Sequence, residues 1–251
     1  MTYPFLDLYR DALFAIYKRY DIVSLQDSSV EFDGCNSLQF IYNCCSRVRE
    51  NQATRLKLDP MIHDLINSTS VDTKIALGNV FLYRNAGLFD FDSGRVATSE
   101  YEAFRYEPTF NERRFFFYLS VCWEKLYNYW DRIGDLLWLC LDLPLSESKV
   151  YFSHVIKELE KRCGASENFS HLRAFHESDY QNITNRARID VVHYQQTDTA
   201  FFWDWLTNVT NGDEIRRIQA WRDSQPELLK TQTQLAMAGF GHAGRLILEC
   251  T

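Results

Sequence analysis

The chain has 251 residues and a formal net charge of −7; 46% of its residues are hydrophobic and 15% are aromatic. This length suffices for one large domain with a substantial core, and charges spread along the whole chain argue against disorder. A general nucleic-acid binder usually carries a basic surface that neutralises phosphates. The negative charge therefore confines any nucleic-acid contact to a local basic site.

The N-terminal segment and the cysteines indicate the cellular compartment. Asp7, Arg10 and Asp11 interrupt the first apolar stretch, which is typical of neither a signal peptide nor a membrane span. No apolar run approaches the roughly 18 residues that cross a bilayer. The seven cysteines are odd in number and lack CxxC spacing, so we expect free thiols in a reducing environment. The sequence thus predicts a cytoplasmic protein without a membrane partner.

Apolar residues recur with a helical period from the N-terminus onward. The first stripe runs over residues 5–17, Ser37 is a candidate cap for a second helix, and a third helix follows Ser70. Residues 87–108 contain Gly94 and Pro108, and this pattern predicts a long connection with a short helix at most.

The strongest predicted element covers residues 111–141, where apolar side chains occupy most of the helix circumference. A helix of this kind belongs in the middle of a bundle. Further helices are predicted over residues 146–163, 168–176, 180–196, 198–209, 213–222 and from Pro226 onward. Because no segment shows the period of a strand, we predict an all-α helical bundle with a central long apolar helix and additional packed N- and C-terminal helices.

Two familiar cofactor patterns are absent or misplaced. Gly239, Gly241 and Gly244 fit the spacing of a dinucleotide-binding loop, but that loop requires a preceding strand and a later acidic residue, which this sequence lacks. We expect these glycines to mark a close helix contact or a break in the last helix. No ExxH pair, HExxH motif or Cys/His cluster occurs, so we expect neither a cofactor nor a metal.

The stretch NRARIDVVHY, residues 185–194, carries the candidate chemistry. On a helix, Arg186 and His193 lie on nearly the same face, and Arg188 lies about 140° away. Arginine binds phosphate through a fork of N–H groups, and histidine transfers protons near neutral pH. With RNA the 2′-hydroxyl is a built-in nucleophile, so no metal is needed. The alternative is an ordinary surface turn of a helix.

A polar stripe on the long apolar helix supplies candidate partners for these cations. Glu124, Asn128, Asp131 and Asp135 fall at positions i, i+4, i+7 and i+11. Charged groups inside a bundle are costly unless they are paired. Either the stripe pairs with the arginines and histidine of the later helix, or it is the solvent face of its own helix.

The Arg-x4–6-His motif on a late helix, following a helix that reads NYWDRIGDLLWL, resembles the HEPN family (higher eukaryotes and prokaryotes nucleotide-binding domains). The resemblance covers about residues 110–210, with helices of residues 1–95 packed on that core in a single domain of residues 1–251. It implies a metal-independent endoribonuclease, often a toxin or phage-defence effector. It also implies a homodimer with one composite site, and an antitoxin or regulatory protein as a further partner.

The same resemblance implies roles for individual residues. His193 would be the general acid/base, and Arg188 or Arg186 would bind the scissile phosphate of RNA, leaving a 2′,3′-cyclic phosphate and a 5′-hydroxyl. Supporting roles fall to Asp131, Asp135, Asn128, Asp190 and Tyr194. The chain departs from the family where Ala187 and Ile189 replace the polar residue that often follows the motif arginine. Gln195 stands where one subgroup has a modified tyrosine.

Two other hypotheses stay open. One is a catalytically silent HEPN-like module that binds a protein or nucleotide partner, and the other is a small-molecule site at the polar stripe. A basic cluster with an aromatic residue on a later helix is either a single-stranded RNA contact or a solvated face; it comprises Arg216, Arg217, Trp221 and Arg222. The aromatic run is expected in the core or a dimer interface rather than under a base; it comprises Phe201, Phe202, Trp203 and Trp205.

Overall fold

The computed structural model describes residues 4–99, 102–184 and 197–251. These residues are mainly helical, which confirms the predicted all-α helical bundle. The α-helices are α1 Pro4–Tyr20, α2 Ser37–Cys44, α3 Ser46–Arg49, α4 Gln52–His63, α5 Ser70–Asn85, α6 Phe110–Cys140, α7 Phe152–Cys163, α8 Glu167–Phe175, α9 Gln181–Thr184, α10 Thr197–Thr207 and α11 Gly212–Cys250. Short π-helical segments cover Asp64–Thr69 and His176–Tyr180, and 3-10 turns cover Phe91–Gly94 and Glu147–Lys149.

The described residues form two compact units. The first unit contains residues 4–22, 75–99, 102–123 and 197–231, and the second contains residues 23–74, 124–184 and 232–251. Helices α5, α6 and α11 contribute residues to both units. The arrangement of residues 1–251 as a single domain stays a prediction. None of the helices in the described part of the chain has the length and hydropathy that a membrane span needs.

Two small hairpins correct the expectation that the chain lacks strands. Glu31–Phe32 (β1) pairs antiparallel with Cys35–Asn36 (β2), and Arg95–Ala97 (β3) pairs with Glu102–Phe104 (β4). Strands of two or three residues are too short to show an alternating period. The first hairpin turns through Asp33 and Gly34, both at positive φ, as an Asp-Gly turn requires. That dipeptide was the signal available in the sequence.

Helix α6 matches the predicted central helix. Its buried side chains cover one broad face of the helix, from Phe115 near its start to Cys140 at its end, and Arg113, Phe117 and Glu124 on the opposite side are exposed. Other boundaries differ from the predicted ones by one to six residues. Asn36 rather than Ser37 caps α2, since its Oδ1 accepts the N–H of Gln39 at 2.9 Å. Helix α7 begins at Phe152, six residues after the predicted start.

Helix α11 contradicts the prediction of two separate final helices. It runs through Pro226 without a break, because a proline removes only one backbone hydrogen bond and buried residues on both sides offset that cost. The buried residues nearest to Pro226 are Gln225 directly before it and Leu229 after it. The amide of Gln225 also donates to the carbonyl of Trp221 at 3.1 Å.

In the first unit, α1 packs against α5. The Tyr9 hydroxyl donates to Asn79 Oδ1 at 2.8 Å, and the ring centroids of Tyr20 and Phe81 lie 4.2 Å apart. Leu8, predicted to lie on the buried stripe of α1, is instead 70% exposed. An aromatic cluster forms the rest of this core, and its members are Phe91, Tyr106, Phe116, Phe201 and Trp205.

In the second unit, the three glycines of α11 admit close neighbours. Trp130, stacked on Phe175 at 3.7 Å, occupies the space where Gly239 lacks a side chain. Phe32 faces Gly241 in the same way, and Phe40 faces Gly244. The expected helix-packing contact is therefore confirmed, and the alternative of a break in the helix is wrong.

Candidate functional site

The residues with the central predicted roles lie outside the described residues. They are Arg186, Arg188, Asp190, His193 and Tyr194. Helix α9 precedes this stretch and α10 follows it, so the structure describes the residues on both sides of the motif. The roles of these five residues stay predictions.

Asp131 is tied to the chain segment that leads into the motif. Its Oδ1 accepts the Tyr180 hydroxyl at 3.2 Å and the backbone N–H of Phe152 at 3.2 Å. Tyr180 is buried at the end of the π-helical segment, directly before α9. Burial, together with the charge of Asp131, raises the pKa of Tyr180, so its hydroxyl remains a donor. Asp131 is therefore anchored to the residues immediately upstream of the Arg-x4–6-His motif.

The other members of the polar stripe lie in different environments. Burial raises the pKa of Asp135, opposed by the guanidinium of Arg132 at 2.9 Å. Arg132 also pairs with Asp64 at 2.9 Å. Asn128 is half-buried and Glu124 is exposed. The exposed Glu124 fits the solvent-face interpretation. Pairing of the stripe with the arginines and His193 of the later helix stays a prediction, because those residues lie outside the described residues.

A buried ion pair in the first unit escaped the sequence analysis. The side chains of Arg222 and Glu112 are 2% and 0% exposed, and Nη1 of Arg222 lies 2.7 Å from Oε1 of Glu112. The same nitrogen donates to the carbonyl of Phe89 at 2.8 Å, and Nε bonds Asp223 at 2.8 Å. Burial raises the pKa of Glu112, and the charge of Arg222 opposes that effect. The one available signal was a carboxylate on the buried face of α6.

This pair removes Arg222 from the predicted basic cluster. Arg216 and Arg217 are exposed and bond Asp213 and Glu214, each at 2.6 Å, within α11. Trp221 instead faces Phe201, with ring centroids 6.2 Å apart. The four residues do not share one surface, because Arg222 points into the core.

A cavity of about 400 Å³ lies in the first unit beside the start of α10. Tyr106 and Phe116 form buried aromatic walls, and the ring of Phe202 is 38% exposed. Burial raises the pKa of Tyr106, and the charges of Glu112 and Asp198 add to that effect. The complete lining is Tyr106, Pro108, Arg113, Phe116, Asp198, Thr199 and Phe202.

The aromatic run at 201–205 is divided between core and surface. Phe201 and Trp205 are buried, and Trp205 Nε1 donates to the carbonyl of Phe104 at 2.9 Å. Phe202 and Trp203 are exposed. The predicted core location is therefore confirmed for half of the run.

Three histidines outside the motif have side-chain neighbours in the structure. The rings of His171 and His242 stack with centroids 4.2 Å apart, and His242 Nδ1 lies 2.9 Å from Asn168 Oδ1. His63 contacts the Tyr42 hydroxyl at 3.2 Å. Across residues 4–99, 102–184 and 197–251, no three His, Cys, Asp or Glu side chains converge as metal ligands.

Comparison with known protein families gives a match over residues 82–235 to the HEPN_Cthe2314-like HEPN family. The chain belongs to this HEPN family. No curated protein and no solved structure matches it. The matched HEPN region extends beyond the predicted core of residues 110–210 on both sides.

The HEPN region encloses the features described above. It contains the motif at 185–194, the Asp131–Tyr180 hydrogen bond, the Glu112–Arg222 pair and the cavity beside α10. The stacked His171–His242 pair lies only partly within it.

Proposed function

We propose that this HEPN protein is a metal-independent endoribonuclease. The observation that carries the proposal is that the family match encloses Arg186, Arg188 and His193 in the Arg-x4–6-His arrangement. An arginine that stabilises phosphate charge and a histidine that transfers protons are the two groups that this reaction needs.

The reaction is an internal transesterification. The 2′-oxygen forms a bond to phosphorus and releases its proton to a base, while the bond from phosphorus to the 5′-oxygen breaks and that oxygen receives a proton from an acid. His193 of each of two copies would supply these roles, with Arg188 or Arg186 bound to the phosphate. The products are a 2′,3′-cyclic phosphate and a 5′-hydroxyl.

Asp131 supports the proposal as a positioning residue. Its hydrogen bonds to Tyr180 and Phe152 fix the helix that enters the motif, and hydrogen-bonded neighbours of this kind orient catalytic side chains. Asp135 and Asn128 extend the same polar stripe, and Asp190 and Tyr194 lie within the motif itself. We propose that these five residues orient the arginines and His193 rather than react with RNA.

The first test is RNA cleavage in EDTA by wild type, His193→Ala and His154→Ala. His154 is an exposed histidine whose ring bonds the backbone carbonyl of Lys149, so it controls for the loss of a histidine as such. We expect cleavage by wild type and His154→Ala, no cleavage by His193→Ala, and cyclic phosphate ends detected by mass spectrometry. Cleavage that persists in His193→Ala, or that EDTA abolishes, would contradict the proposal.

The composite dimer site is tested by subunit mixing. We propose that two motif stretches from two copies of the chain form one site, so His193→Ala subunits should suppress wild-type activity when they exchange into dimers. An excess of the variant should lower the activity of each wild-type subunit. Unchanged activity per wild-type subunit, in a mixture shown to exchange, would exclude a shared site.

A silent binding module is the second candidate. The apolar residues Ala187 and Ile189 after the two arginines favour it, because they depart from the polar residue that the family often has there. Induced expression of wild type and His193→Ala distinguishes the two candidates. Growth arrest and RNA fragmentation by wild type alone would support a toxin or defence effector, and an antitoxin would then be its natural regulator. Equal growth with intact RNA would favour the silent module.

A further inference from the structure

The cavity beside α10 combines three kinds of group that single-stranded RNA recognition uses. Its walls are aromatic, and its rim carries a carboxylate, a hydroxyl and a guanidinium, from Asp198, Thr199 and Arg113. Proteins bind unpaired bases by stacking them on aromatic rings and by hydrogen bonds to their polar edges. A volume of about 400 Å³ lies within the ordinary range of small-ligand sites.

The aromatic side of the cavity is preformed. Tyr106 packs against Trp205 and Phe201 with centroid distances of 5.6 Å each, and Phe116 packs against Phe201 at 4.8 Å. Phe202 packs its ring 5.5 Å from Trp205 while 38% of the residue stays exposed. Because these neighbours hold the rings in place, a base can stack on Phe202 without reorganising the wall.

The polar rim defines the ligand further. Asp198 Oδ1 accepts the N–H of Thr199 at 2.8 Å, which fixes the carboxylate while leaving lone pairs for another donor. A carboxylate only accepts hydrogen bonds, so it favours a base edge that carries N–H groups. Guanine presents two adjacent donors, N1–H and the 2-amino group, whereas uracil presents one N–H between two carbonyls.

Arg113 supplies the complementary charge for a phosphate. It is exposed at the cavity, and no ion-pair partner for it occurs within residues 4–99, 102–184 and 197–251. Its neighbour on α6, Arg114, instead lies over the ring of Phe110, with Cζ 5.3 Å from the ring centroid. In a chain of net charge −7, such an unpaired guanidinium is a local attraction for an anion.

We propose that this cavity is a base-specificity site, in which a guanine of single-stranded RNA stacks on Phe202 and donates to Asp198 while Arg113 binds its phosphate. The inference rests on the proposed ribonuclease function and gives it a sequence preference. Asp198 follows His193 by five residues, and chain connectivity limits their Cα separation to about 18 Å. The site therefore serves a nucleotide at or close to the cleaved position.

The test measures binding of the four nucleoside 3′-monophosphates by calorimetry, using the His193→Ala protein so that chemistry does not interfere. We expect guanylate to bind about tenfold more tightly than uridylate, as a two-donor contact to a carboxylate implies. Asp198→Asn should remove that preference. Phe202→Ala should weaken the binding of all four nucleotides about tenfold, because the stacking contact is lost. Arg113→Gln should weaken the binding of the nucleotides but not the binding of the free nucleosides, which lack the phosphate.

Each variant has a matched control on the same helix whose side chain does not line the cavity. Asp204→Asn controls for Asp198→Asn, Trp203→Ala for Phe202→Ala, and Arg114→Gln for Arg113→Gln; all six side chains are exposed, so the fold should tolerate each change. Equal affinity for the four nucleotides, or equal effects of a variant and its control, would overturn the inference.

Mapping of cleavage sites separates this inference from the proposed function. If wild type cuts RNA without a base preference and binds the nucleotides equally, the specificity site is refuted while the ribonuclease stands. If guanylate binds as expected and Asp198→Asn abolishes the preference, but RNA remains intact, the site stands and the ribonuclease fails. Guanine-directed cleavage that Asp198→Asn redistributes would support both.

Discussion

The two units stabilise their buried polar groups in different ways. The first unit buries a full ion pair, Glu112 with Arg222. Among the described residues of the second unit, the buried polar side chains are all neutral; they are Ser24, Ser37, Thr69, Ser70, Thr73, Gln232 and Thr233. Two of these hydroxyls, those of Ser70 and Thr73, return to carbonyls of the preceding helical turn at 2.7 and 2.8 Å. The first unit thus depends on two specific partners, whereas the second depends mainly on packing and short-range hydrogen bonds.

The largest effect is expected from breaking the ion pair. Arg222→Met leaves the carboxylate of Glu112 buried without its counter-charge, and a loss of this kind costs about 3–5 kcal/mol of unfolding free energy. Urea unfolding measures the change. Arg217→Met is the matched control, since its pair with Glu214 is exposed to solvent and should change the unfolding free energy far less. Similar losses in the two variants would show that the buried pair has no special weight.

The packing of the second unit is tested at Gly239. A methyl group there meets the buried ring of Trp130, so Gly239→Ala should cost about 1–3 kcal/mol in overpacking, reduced by about 1 kcal/mol of helix propensity. The same urea experiment in a Trp130→Phe background should show a smaller effect, because the ring atoms facing Gly239 are then missing. An equal loss of unfolding free energy in both backgrounds would show that the contact with Trp130 does not cause it.

A single hydrogen bond to a carboxylate should matter less than the ion pair. Tyr180→Phe removes the hydroxyl that donates to Asp131, and we expect a loss of about 1.5–3 kcal/mol of unfolding free energy. The control is Tyr42→Phe, whose hydroxyl contacts His63 at an exposed position and should change stability by a few tenths of a kcal/mol at most. A loss from Tyr180→Phe as large as that from Arg222→Met would erase the contrast between the two units.

The smallest effect concerns a histidine of the second unit that stays neutral. Burial, with the charges of His171 and Arg245, lowers the pKa of His242 from its ordinary value of 6.5. As the pH falls below 6.5, the unfolded chain therefore binds more protons at this histidine than the folded chain does. The free energy of unfolding decreases as a result. Urea unfolding at about pH 7.5 and about pH 5.5 should show a larger loss for wild type than for His242→Gln. Parallel losses would assign the pH dependence to other groups.

The spacing of apolar residues predicts helices whose buried face is continuous along the sequence. The sequence predicts helix α6 within a residue at each end, because apolar side chains recur with a helical period along its whole length. Short-range rules failed where distant contacts decide the outcome. The burial of residues on both sides of Pro226 keeps α11 continuous, and no rule that reads only neighbouring residues includes that contribution.

The candidate site shows the same division. The Arg-x4–6-His motif could be found in the sequence because all its members lie within one short stretch. The cavity could not, since its lining combines residues 106–116 with residues 198–202, and only folding brings these together. Arg222 shows that residues close in sequence need not share a surface. The sequence groups it with Arg216 and Arg217, but its partner Glu112 lies 110 residues away.

The last turn of α11 contains a cysteine that lies next to a second free cysteine, and such a pair can respond to the redox conditions around the protein. Cys250 Sγ lies 2.8 Å from Cys163 Sγ, both as free thiols, so a small rotation about the side-chain bonds would bring them to bonding distance. Burial raises the pKa of Cys250, which keeps the thiol protonated and slow to react. The intact mass of the natively isolated protein, with or without two hydrogens, would therefore report whether the chain resides among reductants or oxidants.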